Sequence, residues 1–260
     1  MDLELGGRVA FVTGATRGIG NAIARRLAYE GCAVGLCARD GDAASAAAAE
    51  LTALGIDAHG VVADVTDDAA LRAAVDEVAS RLGGLDLVVA NAGGSAGGAA
   101  LEETGADDWA QTLALNVTHP AVLLRAALPH LRARGGGAAV LIASISGQRP
   151  QPRAQYAAAK AAEIHLAATL ARELGPDGVR VNALSPGSIL FEGGGWASRR
   201  DADPRAFAAW VEAEFPLGRL GTVEEVADVA CFLLSPRASW VSGANVIVDG
   251  AQNQPGIAGY

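Results

Sequence analysis

At 260 residues, with 51% hydrophobic and 19% charged side chains, the chain has the length and apolar content for one large α/β domain with a substantial core. Its formal net charge of −9 argues against general nucleic-acid affinity, which calls for basic surface, and favours solubility. No apolar run reaches the roughly 18–20 residues that span a bilayer, and Met1-Asp2-Leu3-Glu4 lacks the basic start of a signal peptide. The expected protein is soluble and cytoplasmic, with no membrane partner.

The first predicted element is a strand at 8–12, built on Val9-Ala10-Phe11-Val12. It runs into Thr13-Gly14-Ala15-Thr16-Arg17-Gly18-Ile19-Gly20 and a helix over 19–30. Strand, glycine-rich turn and helix N-terminus together make an anion site. Backbone N–H groups and the positive end of the helix dipole meet the pyrophosphate of a dinucleotide, and glycine lets it approach the backbone. A second strand at 33–38 follows Cys32 and contains Cys37; Cys231 is the third cysteine, and no CxxC pair occurs. Free buried thiols are expected there, with no disulfide and no metal site. The alternation continues with a helix over 42–54, a strand at 57–63, a helix over 67–82 and a strand at 85–90. A long helix over 105–133, a strand at 138–143, a helix over 154–174, a strand at 180–184, a helix over 222–234 and a strand at 245–248 complete it. This pattern predicts a single doubly wound Rossmann-type α/β domain over 1–260: a seven-stranded parallel sheet with helices on both faces.

One segment, 188–217, has no predicted strand and carries Phe191, Trp196, Phe207, Trp210 and Phe215, five of the chain's twelve aromatics. Phe207 and Trp210 are three apart and share a helical face. Two readings stand: a satellite hydrophobic cluster packed on the sheet, or a substrate lid over its C-terminal edge. The position after the sixth strand favours the lid.

In the helix over 154–174, Tyr156 and Lys160 project from one face. A phenol, with a pKa near 10, is a poor base at neutral pH unless nearby positive charge favours the phenolate. A lysine one turn away supplies that field. Tyr156 then serves as general acid toward a ketone or general base toward an alcohol.

The glycine-rich turn and Tyr156-Ala157-Ala158-Ala159-Lys160 together resemble the short-chain dehydrogenase/reductase family, and the resemblance runs over essentially the whole chain. It implies a catalytic tetrad of Asn116, Ser144, Tyr156 and Lys160. Ser144-Ile145-Ser146-Gly147 matches the serine that precedes a glycine by three and holds the substrate oxygen, with Ser146 as the competing candidate. Asn116, in Leu115-Asn116-Val117, matches the helix asparagine that holds a water near the lysine. An isolated Asn is unfavourable within a helix, which suits a kink or water site; a plain surface Asn is the alternative.

For the cofactor the resemblance implies contacts from Gly14, Thr16, Arg17, Gly18, Ile19 and Gly20 at the turn, Asp64 and Val65 at the adenine, and Asn91, Ala92 and Gly93 beside the ribose. Tyr156 and Lys160 join them, with Pro186, Gly187 and Ile189 near the carboxamide. Ala90 replaces the family's usual first Asn, and Phe191 stands where a threonine is expected, leaving Ser188 as the nearest hydroxyl. NAD-specific relatives carry an acidic residue at the end of the second strand; here that position is Ala38, followed by Arg39, with Arg17 in the turn. Two guanidiniums and no carboxylate suit a 2′-phosphate, so NADP(H) is expected over NAD. A pairing of Arg39 with Asp40 would weaken that case.

The implied activity is an NADP(H)-dependent oxidoreductase exchanging hydride between nicotinamide and a carbonyl or secondary alcohol. Within this reading the chain resembles 3-oxoacyl-carrier-protein reductase through Tyr-Ala-Ala-Ala-Lys and Pro216-Leu217-Gly218-Arg219. Arg132, Arg134 and Arg172 are candidates for a carrier-protein landing site. The rival readings are an NAD-dependent sugar or diol dehydrogenase, an enoyl reductase, whose Tyr–Lys spacing in relatives is usually wider, and a non-catalytic NADP-sensing or scaffold protein. Relatives usually form homotetramers. Ala157, Ala158, Ala161, Ala162, Ala167, Ala168 and Ala171 offer a small-residue face for such contacts, and the tail with Pro255, Ile257 and Tyr260 could cross into a neighbour.

Overall fold

A computed structural model describes residues 2–252. Its seven strands form one sheet in the order β3-β2-β1-β4-β5-β6-β7, with every neighbouring pair parallel. They are β1 (Val9–Thr13), β2 (Ala33–Ala38), β3 (Ala58–Val62), β4 (Leu87–Ala90), β5 (Gly137–Ile142), β6 (Val179–Pro186) and β7 (Asn245–Val248). The chain builds outward from β1 to β3, then returns to lay β4 on the other side of β1. That reversal opens a crevice at the carboxyl ends of β1 and β4.

Both faces of the sheet are buried, which is why the strands read as continuous apolar runs. Along β1, Ala10 and Val12 enter one core and Val9 and Phe11 the other. Helices α1 (Gly18–Tyr29), α2 (Gly41–Thr52) and α9 (Val223–Leu234) cover the first face, with Ile23, Leu27, Leu51, Val226 and Leu234 among the buried residues. On the second lie α3 (Asp68–Leu82), α5 (His119–Ala133) and α6 (Ala154–Leu174), with Leu71, Val75, Leu123, Leu131 and Leu174. Cys32, Cys37 and Cys231 are buried free thiols, and burial pushes Cys32 and Cys37 up to about 12. Among the described residues no helix is long and apolar enough to cross a membrane.

The long helix expected over 105–133 is interrupted. Helix α4 (Ala106–Leu113) passes through a π-helical stretch, Ala114–Thr118, before α5 resumes at His119. The widened turn holds Asn116, so the residue that fits a helix interior poorly sits where the helix is irregular. Segment 188–217 contains α7 (Gly195–Ala202) and α8 (Pro204–Glu214).

The alanines of α6 do not share one face. Ala167 and Ala171 are buried in the core beneath the helix, whereas Ala158, Ala161 and Ala168 are exposed. At about 100° per residue Ala168 lies about 60° from Ala171, so the exposed set borders the buried one. The tail residues Pro255, Ile257 and Tyr260 lie outside the described residues.

Candidate active site

The glycine-rich turn joins β1 to α1, and it is clasped from β4. Thr13 Oγ1 accepts from the backbone N–H groups of Asn91 (3.0 Å) and Ala92 (3.1 Å). Asn91 Nδ2 donates in return to Thr13 O (2.9 Å) and Gly14 O (3.0 Å). These bonds lock together the two strand ends that flank the crevice. Gly14 has a φ of 64°, and a Cβ there would stand 3.1 Å from Ala92 Cα, so only glycine suits the turn. Arg17, extended and without a side-chain cap bond, opens α1, and the first turn holds no acidic residue. The uncapped N–H groups and the helix dipole together fit an anion such as a pyrophosphate.

The end of β2 is basic. Asp40, which could have neutralised Arg39, is instead the N-cap of α2: its Oδ1 accepts from Asp42 N (3.0 Å) and Ala43 N (3.1 Å). The side chains of Arg17 and Arg39 form no hydrogen bond or salt bridge among the described residues, and both residues are exposed. Asp64, at the end of β3, is held below the usual carboxylate range by hydrogen bonds from Thr66, with a smaller contribution from Arg39. Val65 packs partly buried beside it.

Behind the crevice lies a buried polar cluster. Asn116 is fully enclosed; its Nδ2 donates to Gly94 O (2.6 Å) and Thr112 O (2.7 Å), and its Oδ1 accepts from Gly94 N (3.2 Å). It is not a surface Asn. Lys160, 3% exposed, donates from Nζ to Ile142 O (2.7 Å) and to Glu163 Oε2 (2.7 Å). Its Nζ stands 5.7 Å from the Tyr156 ring centre. Burial alone would lower the Lys160 pKa, but Glu163 and Tyr156 outweigh it and the net direction is upward. A Cβ at Gly93 would lie 2.9 Å from Asn116 Oδ1 and 3.2 Å from Lys160 Nζ, so that glycine leaves room for both polar groups.

Two titratable neighbours carry no motif that would single them out in the sequence. Glu163 is 2% exposed, and burial pushes it up to about 7 although Lys160 opposes the rise. His119 is buried, its Nδ1 lies 3.2 Å from Leu115 O, and burial pushes it down to about 4. Glu163 could have been suspected from spacing alone: Tyr156, Lys160, Glu163 and Ala167 follow one helical stripe.

A cleft of about 230 Å³ opens on this cluster, lined by Ile19, Asn91, Gly93, Ser144, Tyr156, Lys160, Pro186, Gly187, Ile189, Phe191 and Trp196 among others. Ser144 faces the cleft, and its Oγ accepts from Ser146 N (3.1 Å); Ser146 is not among the lining residues. Asn116 sits behind Gly93, while Arg17, Arg39 and Asp64 lie outside the cleft lining. Ser188, the nearest hydroxyl to the missing threonine, is not among the residues that line the cleft. It is buried, its Oγ accepts from Gln252 Nε2 (3.0 Å), and its N–H donates to Gln252 Oε1 (2.9 Å). Phe191 instead lies against the glycine-rich turn, where its ring would come within 2.9 Å of a Cβ at Gly18.

Trp196 stacks on Trp210 at 4.6 Å, Trp210 meets Phe207 and Phe215, and Arg199 lies over Trp210 at 4.3 Å. The segment is thus a satellite cluster, anchored by Phe207, Phe215 and Leu220, that also hands one aromatic wall to the cleft.

A glycine-rich turn at the switch of a seven-stranded parallel sheet, facing a serine, a tyrosine and a lysine, defines a dehydrogenase/reductase of the Rossmann type. The chain belongs to the short-chain dehydrogenase/reductase family: the family model described as enoyl-(acyl carrier protein) reductase matches residues 14–252. It is an oxidoreductase of that family. Among individual proteins it is similar to cis-4-hydroxycyclohexanecarboxylate dehydrogenase of Sinomonas cyclohexanicum, 40% identical over 247 residues that span 94% of this chain and 95% of the relative. L-sorbose reductase of Gluconobacter frateurii, solved with NADPH and L-sorbose, superimposes with a TM-score of 0.92 at 33% identity over 98% of this chain and all of the other. An NAD+-bound xylitol dehydrogenase gives 0.87 at 32% identity, covering 95% of this chain and 99% of that one.

Proposed function

We propose that the protein is an NADP(H)-dependent oxidoreductase interconverting a secondary alcohol and a ketone. The observation that carries this reading is the convergence of Ser144, Tyr156 and Lys160 on one cleft beside the glycine-rich turn. Nicotinamide, when bound, supplies or accepts the hydride. The chain's own residues manage the oxygen and its proton. Ser144 Oγ and the Tyr156 hydroxyl hold the substrate oxygen, Tyr156 gives or takes the proton, and the Lys160 ammonium favours the phenolate and donates toward the ribose. Asn116 secures the Gly94 backbone that shapes the wall beside Lys160. Gly14, Thr16, Gly18, Ile19 and Gly20 would cradle the pyrophosphate, Asp64 and Val65 the adenine, Ala92 and Gly93 the ribose, and Pro186, Gly187 and Ile189 the carboxamide.

NADP(H) is favoured over NAD because the guanidiniums of Arg17 and Arg39 form no hydrogen bond or salt bridge among the described residues and Asp40 is committed to its cap. A 2′-phosphate would give both guanidiniums a partner. As for substrate, Phe191 and Trp196 wall the cleft, which suits a compact, carbon-rich ring better than an open polyol. We take 188–217 as the lid that selects it. The carrier-protein variant is less favoured. Arg132 is bound to Asp177 and Arg134 to Asp86, both bidentate. They lie at the end of α5 just before β5 begins, and Arg172 just before β6, at the sheet edge opposite the cleft.

The test is a panel of cyclic and open-chain ketones and alcohols with both cofactors, read by reduced-nicotinamide absorbance. Tyr156→Phe should lose about 10²–10⁴-fold in kcat with cofactor affinity nearly unchanged, whereas Lys160→Ala should also weaken cofactor binding. Retention of more than about a tenth of native turnover by Tyr156→Phe contradicts the acid–base role. A protein that binds NADP(H) yet turns over nothing in the panel is the scaffold alternative.

A further inference from the structure

We propose that Glu163 is a positioning residue for this site: its carboxylate orients the Lys160 ammonium and offsets the charge that the ammonium presents to Tyr156. The inference rests on the reading of Tyr156 as the acid–base group.

An ammonium has three N–H donors. Ile142 O and Glu163 Oε2, each at 2.7 Å, take two of them. Both acceptors are held in place: Ile142 is the last residue of β5, and Glu163 sits one turn further along the helix that carries Lys160. The third N–H is left for the cleft, which Lys160 lines. Without Glu163 the long side chain would have a single fixed anchor and two free donors.

The electrostatic consequence follows from burial. Lys160 is 3% and Glu163 2% exposed, so water screens neither charge from the phenol as it would at the surface. The ammonium stabilises phenolate; the carboxylate behind it works in the opposite sense over a longer distance. Other ionisable groups do little to change this balance. His119, at the start of α5, lies near Lys160 but is kept neutral by burial. Beside Lys160, Ile142 of β5 and Asn116 of the π-helical stretch are uncharged, and Arg149 and Arg153 in the loop before α6 donate to Gln252 O and Ser95 Oγ. On α4, Asp107 is exposed and Asp108 is half-buried, accepting from Gly105 N.

A unit charge roughly 10 Å away shifts a titration by about one pH unit at an effective dielectric constant near 20. Glu163→Gln, which keeps the shape and removes the charge, should therefore move the ionisation of Tyr156 down by about one pH unit. The measurement is a tyrosinate ultraviolet difference titration of the full chain without substrate. The chain has three tyrosines, and the matched Tyr156→Phe protein is subtracted in each background to isolate one step. Loss of a buried partner charge destabilises, so Glu163→Asp is measured as well. Its carboxylate keeps the charge and is withdrawn from Nζ by one methylene, so it should leave the step within about 0.2 pH unit of the native one. A Glu163→Gln step that superimposes on the native one, or a Glu163→Asp step displaced as far as that of Glu163→Gln, overturns the proposal. Because the titration needs no turnover, a protein inert toward every alcohol and ketone would remove the oxidoreductase reading without touching this result.

Discussion

Replacing His119 by leucine should remove an acid sensitivity that the native protein carries. His119 is buried, its Nε2 has no partner among the described residues, and burial holds its pKa down at about 4. An unfolded histidine takes its proton near 6.5. Between those values the unfolded chain binds more protons than the folded one, so stability falls as pH drops through this window and is fully present above it. For a displacement from 6.5 to about 4, the loss is about 2 kcal/mol at pH 5 and approaches about 3 kcal/mol at the lower end. Glu163 acts oppositely. With its pKa raised to about 7, its contribution is present at low pH and lost as pH rises through 7, so the native curve alone hides both. Urea unfolding of native and His119→Leu protein at one protein concentration, from pH 8 to pH 5, separates them, since the Glu163 contribution cancels in the difference. The native-minus-variant stability should be constant above about pH 7 and fall by about 2 kcal/mol at pH 5. Any packing strain from leucine adds a constant, not a slope. A difference that stays level over the whole range would refute the claim that a neutral imidazole is built into the site.

Ala38→Asp with Arg39→Leu should shift the kcat/KM ratio from NADP toward NAD by roughly ten- to 150-fold, the worth of one charge-assisted contact of about 1.5–3 kcal/mol; an unchanged ratio would leave Arg17 as the sole reader of the 2′-phosphate. Light scattering should return about four times the 26.1 kDa chain mass, with Ala158, Ala161 and Ala168 on the exposed side of α6 available for a symmetric contact; a fully active monomer at all concentrations would remove that expectation.

The sheet was legible because its signal is local. Strands β2 and β7 and helix α6 have the bounds that apolar runs and helical spacing predict; the other predicted elements differ by a few residues at their ends, except the helix over 105–133, which is interrupted, and α7 and α8 were not predicted. The π-helical stretch was not legible. A shift from i+4 to i+5 bonding leaves side-chain composition untouched, and only the awkward Asn116 marks it. The role of Asp40 was equally hidden, because pairing with Arg39 and capping α2 use the same carboxylate, and only the backbone path decides between them. Phe191 stands where a threonine is expected and Ser188 is the nearest hydroxyl in the sequence, but only tertiary contacts show that Phe191 lies against Gly18 and Ser188 bonds Gln252.

Helix α6 shows why so polar a cluster can be buried at all. From Tyr156 to Leu174 its inward side passes from Lys160 and Glu163 to Ala167 and Ala171 without leaving the face that meets the sheet. A lone ammonium at that depth would shed its proton or pull the helix outward, since burying an unpaired charge costs several kcal/mol. The carboxylate three residues on makes the pair nearly neutral as a unit, and the imidazole of His119 adds no second positive charge. The ammonium can then stay charged beside the phenol while the rest of the helix packs as ordinary core. Charge balance inside the helix–sheet interface and reactivity at its rim are thus one arrangement: the carboxylate that allows Lys160 to be buried is also the one that weakens its pull on Tyr156.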